Sequence, residues 1–133
     1  MAESKDMTDM RTLIASLGDQ MADALSVSVE RTPTAKGPFR GVVVLGMGGS
    51  GIGGAILADM LRTGSQAPFM AISDQTLPGW VDTSCLVVAS SYSGNTEETL
   101  AALEEAEERG CTISAVTSRG TLKARADEQA GPP

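Results

Sequence analysis

The stretch GVVVLGMGGSGIGGAILADMLR, residues 41–62, decides the fold. Val42, Val43, Val44 and Leu45 make a continuous apolar, mostly β-branched run, the pattern of a strand covered on both faces. The run stops at a glycine cluster, residues 46–51. Residues 51–62 then read as a helix, with Gly64 just beyond its end. Strand, glycine turn and helix in that order open a βαβ unit.

The same alternation continues downstream. Residues 69–73 form a short second strand, and residues 74–83, with Pro78 and Gly79, form a loop. Residues 86–90 are a third strand. Asn95 or Thr96 starts a third helix that runs to Arg109 and stops at Gly110, with Asn95 and Glu98 at capping-box spacing. Residues 112–117 are a fourth strand, and residues 122–129 a last short helix. The pattern predicts an α/β fold: an open parallel sheet of about four strands with helices on both faces. A strand order of 2-1-3-4 would make strands one and three neighbours where the order reverses.

Upstream, Met10, Leu13, Ile14, Leu17, Met21, Ala24 and Leu25 recur at helical spacing. They predict one amphipathic helix, capped by Thr8 or Asp9 and ending near Val29. Residues 32–38 carry two prolines and a glycine and read as a connector. The expected division is therefore a helix and connector over 1–38 and the α/β domain over 39–133. The chain ends in GPP after a helix, whereas an open sheet of this type continues into another strand. Residues 1–133 are thus the expected front part of a longer protein, incomplete at the C-terminal end.

The totals narrow the function. The 133 residues suit one domain, with 41% hydrophobic and 20% charged residues. Aromatics are only 3%, so the core must rest on aliphatic side chains and Met. A net charge of −7 argues against nucleic acid and anionic membranes as partners. No stretch approaches the ~20 apolar residues of a transmembrane helix, and the polar start MAESKDMTD is no signal peptide. Cys85 and Cys111 lack metal or redox spacing and read as small hydrophobes in a reducing cytoplasm. The acidic helix face between Glu97 and Glu108 reads as solvated surface. The chain has no histidine, which excludes a His-based triad or a His-ligated metal within it.

Two loops carry the chemistry. The first, residues 46–51 (GMGGSG), joins a strand to a helix start, where free N–H groups and the helix dipole favour an anion. Ser50 adds a hydroxyl. The run is also a literal G-x-G-x-x-G, and Asp74 follows at about the 20-residue spacing of a ribose ligand. A dinucleotide-binding Rossmann domain is therefore an alternative. A P-loop is not, because Ile52 stands where its lysine belongs.

The second loop, residues 90–96 (SSYSGNT), also joins a strand to a helix. Ser90, Ser91, Ser93 and Thr96 crowd hydroxyls around Gly94, more than a turn or a cap requires. A phosphate, whose oxygens each accept hydrogen bonds, uses such a set. No Lys or Arg occurs between Arg62 and Arg109, so neither loop carries a cation. That favours one phosphate monoester over a polyphosphate.

Together, GMGGSGIGG and SYSGNTEETL resemble the sugar isomerase (SIS) domain, and more narrowly the first such domain of the bifunctional phosphoglucose/phosphomannose isomerase family. The resemblance runs from about residue 41 to residue 118. It implies a flavodoxin-like three-layer sandwich and a hexose 6-phosphate ligand, glucose or mannose 6-phosphate interconverted with fructose 6-phosphate. It implies a homodimer and neither metal nor organic cofactor. By matching positions, Ser50, Ser91, Ser93 and Thr96 would hold the phosphate, with the Gly49 backbone lining the site. The family's catalytic Glu, His and Arg would fall beyond residue 133, so no catalytic residue is assigned here. A stand-alone sugar-phosphate-binding or regulatory module is the further alternative.

Overall fold

A computed structural model describes residues 9–27 and 37–130. Contacts divide the chain into two compact units, Met1–Thr32 and Pro33–Pro133.

In the first unit the single expected helix is two: α1, Met10–Ala15, and α2, Leu17–Ala24. Ser16 makes the break. Its hydroxyl donates back to the Leu13 carbonyl at 3.1 Å and accepts from the Gln20 amide at 2.7 Å. Such back-bonding competes with the helical ladder. Asp9 occupies the N-cap position of α1 without a side-chain cap bond. Thr8, Val29 and most of the expected connector lie outside the described residues.

The second unit is a four-stranded sheet of order β2-β1-β3-β4. Its strands are β1, Gly41–Leu45; β2, Phe69–Ile72; β3, Cys85–Ser91; and β4, Thr112–Thr117. Every pairing is parallel, with Val43 beside Val87 and Val87 beside Ile113. The connections run through α3, Gly48–Leu61, and α4, Glu97–Glu108, while α5, Gly120–Ala130, follows β4. This is the expected α/β architecture in three layers, and its strand order is the one under which strands one and three are neighbours.

The two faces are packed differently. Val43, Leu45, Val87 and Ala89 meet Ala102, Leu103 and Ala106 of α4 and Leu122 of α5, forming the main core. On the other face α3 lies close because it presents glycine. A Cβ on Gly54 would stand 2.8 Å from Val44 Cγ1. Any side chain there would push the helix off the strand.

Loop 73–84 is tied to α4 by one ion pair. Arg109 donates to the carbonyls of Pro78 at 2.7 Å and Val81 at 3.0 Å and is bonded to Glu105. The Glu105 carboxylate also accepts the Leu77 N–H at 2.7 Å. Glu104 and Glu107 pair with Arg125 of α5, so half of the acidic α4 face is used within the fold. Cys85 is buried, as expected, whereas Cys111 is only half-buried just ahead of β4. Burial, reinforced by Cys85, pushes the Cys111 thiol pKa up. Among the described residues no helix is long and apolar enough to cross a membrane. Nor does any group of three or more His, Cys, Asp or Glu among them stand ready to hold a metal.

Candidate functional site

The site forms where β1 and β3 end side by side. Because β2 lies beyond β1 and β4 beyond β3, the connections leave this pair in opposite directions. The two outgoing loops are left flanking one crevice at the carboxyl ends of the strands.

The first loop turns more sharply than its sequence suggests. The expected helix start at Gly51 moves back to Gly48, with extended Met47 as N-cap. Gly49 and Ser50 therefore belong to the first helical turn. The glycines divide by role. A Cβ on Gly51 would meet the Gly46 carbonyl, so this pair serves tight strand–helix packing. A Cβ on Gly49 would meet nothing within 4 Å, and Gly49 is exposed. Packing therefore explains Gly46, Gly51 and Gly54 but not Gly49, which stays exposed. Ser73, just past β2, braces the turn by donating to the Gly46 carbonyl at 2.7 Å. The sequence offered no signal for that brace except the position of Ser73 at a strand end.

In the second loop two of the hydroxyls meet. Ser91, the last residue of β3, is 3% exposed. Its Oγ lies 2.9 Å from Thr96 Oγ1 and accepts the Gly94 N–H at 3.1 Å. Ser93 is half-buried and accepts the Asn95 N–H at 3.3 Å. Thr96 is the N-cap of α4, yet its side chain makes no cap bond and turns to Ser91 instead. The starts of α3 and α4 thus both lack a side-chain cap. Their first-turn N–H groups keep donor capacity for an anion.

One bond joins the loops. The Tyr92 N–H donates to Ser50 Oγ at 3.3 Å across 42 residues of sequence. Ser50 is thereby joined to the second loop, in which Ser91 and Thr96 meet, while Ser93 bonds only to the Asn95 N–H. The capping box expected from Asn95 and Glu98 does not form. Asn95 Oδ1 accepts instead from the Thr121 N–H at 2.9 Å and the Thr121 hydroxyl at 3.0 Å, at the start of α5. The β4–α5 turn lies directly against this loop, so α5 presents the nearer unsatisfied donors. Asp74, the candidate ribose ligand, is exposed beyond β2, and its Oδ1 accepts the Gln75 N–H at 2.6 Å.

No family model matches the chain. Curated proteins do. The bifunctional phosphoglucose/phosphomannose isomerase of Caldicellulosiruptor bescii is 46% identical over 87 residues, 65% of this chain. That of Aquifex aeolicus is 47% identical over 93 residues, 69% of the chain. Over this segment the chain belongs to the bifunctional phosphoglucose/phosphomannose isomerase family. A D-glucosamine-6-phosphate 4-epimerase of Sulfolobus acidocaldarius is 36% identical over 111 residues, 83% of the chain. The aligned shares of these relatives are 26%, 29% and 33% of their own lengths, so the isomerase-family segment spans roughly a third of them or less.

Proposed function

We propose that the paired loops bind the phosphate of a hexose 6-phosphate, and that the chain is the phosphate-holding part of an aldose–ketose isomerase. The reaction would interconvert glucose or mannose 6-phosphate with fructose 6-phosphate. The observation that supports this is the Ser91–Thr96 hydroxyl pair and the bond from the Tyr92 N–H to Ser50, between two helix starts without side-chain caps; Ser93 and Gly49 are assigned with them from their places in the two loops. Hydrogen bonds to a charged group are worth about 1.5–3 kcal/mol each, so a few suffice for one monoester.

Isomerisation moves a proton between C1 and C2 through an enediol. The phosphate, at the far end of the sugar, serves as the handle that fixes those carbons before a base. The chain has no histidine to open the sugar ring. The ring-opening group, the proton-transferring carboxylate and an arginine are expected from a segment beyond residue 133, and no glutamate of this chain is assigned to that task. A homodimer, a cytoplasmic location and the absence of any cofactor belong to the same reading.

The absence of histidine also favours a second reading, a module that binds a sugar phosphate without turning it over. Calorimetry with fructose 6-phosphate, run beside an isomerase assay on the same chain and on a version extended by its downstream coding sequence, separates the two. Turnover appearing only with the extension supports the isomerase. Binding without turnover in both supports the module. Binding of NAD, lost in Asp74→Ala, would instead restore the dinucleotide alternative.

A further inference from the structure

The two loops carry no cation, yet the fold delivers one to their edge. Arg119 lies in the turn between β4 and α5, and its guanidinium carbon sits 5.5 Å from the centre of the Tyr92 ring. Tyr92 is also the residue whose backbone N–H reaches Ser50, so the stacked pair is anchored on the residue at which the two loops are bonded. The turn itself is held from several sides. Ser118 Oγ donates to the Tyr92 carbonyl at 2.7 Å. The Leu122 N–H donates to the Gly94 carbonyl at 3.0 Å. Thr117 Oγ1 donates to the Arg119 carbonyl at 2.9 Å.

The charge of Arg119 is also uncommitted. Among the described residues Arg62, Arg109, Lys123 and Arg125 each have a carboxylate partner, whereas Arg119, like Arg11 and Arg40, has no ion pair, and of these three Arg119 is the one beside the two loops. In a chain of net charge −7 with acidic residues on the neighbouring α4, an exposed arginine stacked on tyrosine and left unpaired calls for another partner. A guanidinium held on an aromatic face keeps its edge N–H groups available, and that edge matches phosphate oxygens.

We infer that Arg119 is a ligand-binding residue of this site: a third-loop cation, positioned by Tyr92, that draws in and contacts the anionic ester held by the first two loops. The inference rests on the phosphate reading of those loops and adds a residue to it. It also accounts for the crowding of the second and third loops, since Arg119 keeps its place only while the turn stays seated on Gly94.

The test is calorimetric titration of fructose 6-phosphate into the wild-type chain, Arg119→Ala, Arg119→Lys, Tyr92→Ala and Ser93→Ala, each at low and high salt, with circular dichroism to check folding. The alanine at 119 keeps the backbone carbonyl that packs against Gly94, so the turn is preserved. Arg119→Ala is expected to weaken binding about tenfold at low salt and to flatten its salt dependence. Arg119→Lys should retain the salt dependence and recover part of the affinity. Tyr92→Ala should give a smaller loss, and a variant carrying both Tyr92→Ala and Arg119→Ala should be no worse than Arg119→Ala alone. If Ser93→Ala weakens binding while Arg119→Ala matches the wild type at both salts, the role of Arg119 is refuted and the loop assignment stands. If the wild-type chain binds no fructose 6-phosphate, the loop assignment falls, and Arg119 with it.

Discussion

The hydroxyl oxygens of Ser91 and Thr96 lie 2.9 Å apart, closing the turn between β3 and α4 from within. Ser91 Oγ also takes the Gly94 N–H at 3.1 Å, in a buried position. Ser93, two residues on, is half-buried and holds only the Asn95 N–H. The two serines therefore differ in how much of the fold rests on them. Ser91→Ala should cost about 1 kcal/mol in urea unfolding, because it removes the Thr96 contact and leaves the Gly94 N–H only the Ser91 carbonyl, at 3.2 Å. Ser93→Ala should stay within about 0.5 kcal/mol of wild type while weakening fructose 6-phosphate binding by about tenfold or more. Equal stability losses in both variants would contradict this division.

Gly94 has φ +69°, the left-handed region that penalises a side chain. A Cβ there would overlap the Arg119 carbonyl oxygen. Gly94→Ala should destabilise the fold by at least about 3 kcal/mol, because strain and overlap add and the facing atom is backbone. The thermal midpoint of the purified variant checks it, and a midpoint within a degree or two of wild type would show that the two loops can separate cheaply.

Glu105 links α4 to the loop after β2. The Leu77 N–H first, and then Arg109, hold its carboxyl below the usual glutamate range. A carboxyl with a depressed folded pKa contributes stability above its unfolded pKa and loses it as pH falls through the folded value. Glu105→Gln should therefore be less stable than wild type at neutral pH, with the gap closing in acid. Denaturant midpoints of both proteins across an acid-to-neutral series measure this. A gap that persists unchanged in acid would assign the effect to packing rather than charge.

Thr99 is 2% exposed in the first turn of α4, and its hydroxyl has no hydrogen-bond partner among the described residues. An unpaired buried hydroxyl is a cost. Thr99→Val keeps the branched shape and removes that cost, so it should raise stability by about 1 kcal/mol. A destabilised variant in thermal unfolding would mean that the hydroxyl makes a bond in solution.

Much of the fold was legible because its signals are local. The valine run of β1 and the strand–helix alternation each lie within one stretch of chain, and they carried the parallel sheet, though not its order. The hydroxyls at 90–96 were equally plain. Local propensity misjudged two helix boundaries. Ser16 breaks the first helix by bonding backward, and α3 begins at Gly48 because the turn is completed by packing of Gly51 on Gly46. Asn95 stood at capping spacing for α4 but caps α5, since the turn that folds back onto it offers closer donors.

By itself the sequence determined the elements and the chemistry of the two loops, because periodicity, turn residues and hydroxyl density act over a few neighbouring residues. Tertiary structure alone decided which groups meet. It put Ser50 against Tyr92 across 42 residues, buried Ser91 while leaving Ser93 half-buried, and laid Arg119 on the Tyr92 ring. The physical reason is the sheet order. Placing β1 beside β3, and β4 beside β3, brings three strand ends to one edge, and the loops that leave them find their partners there rather than along the chain.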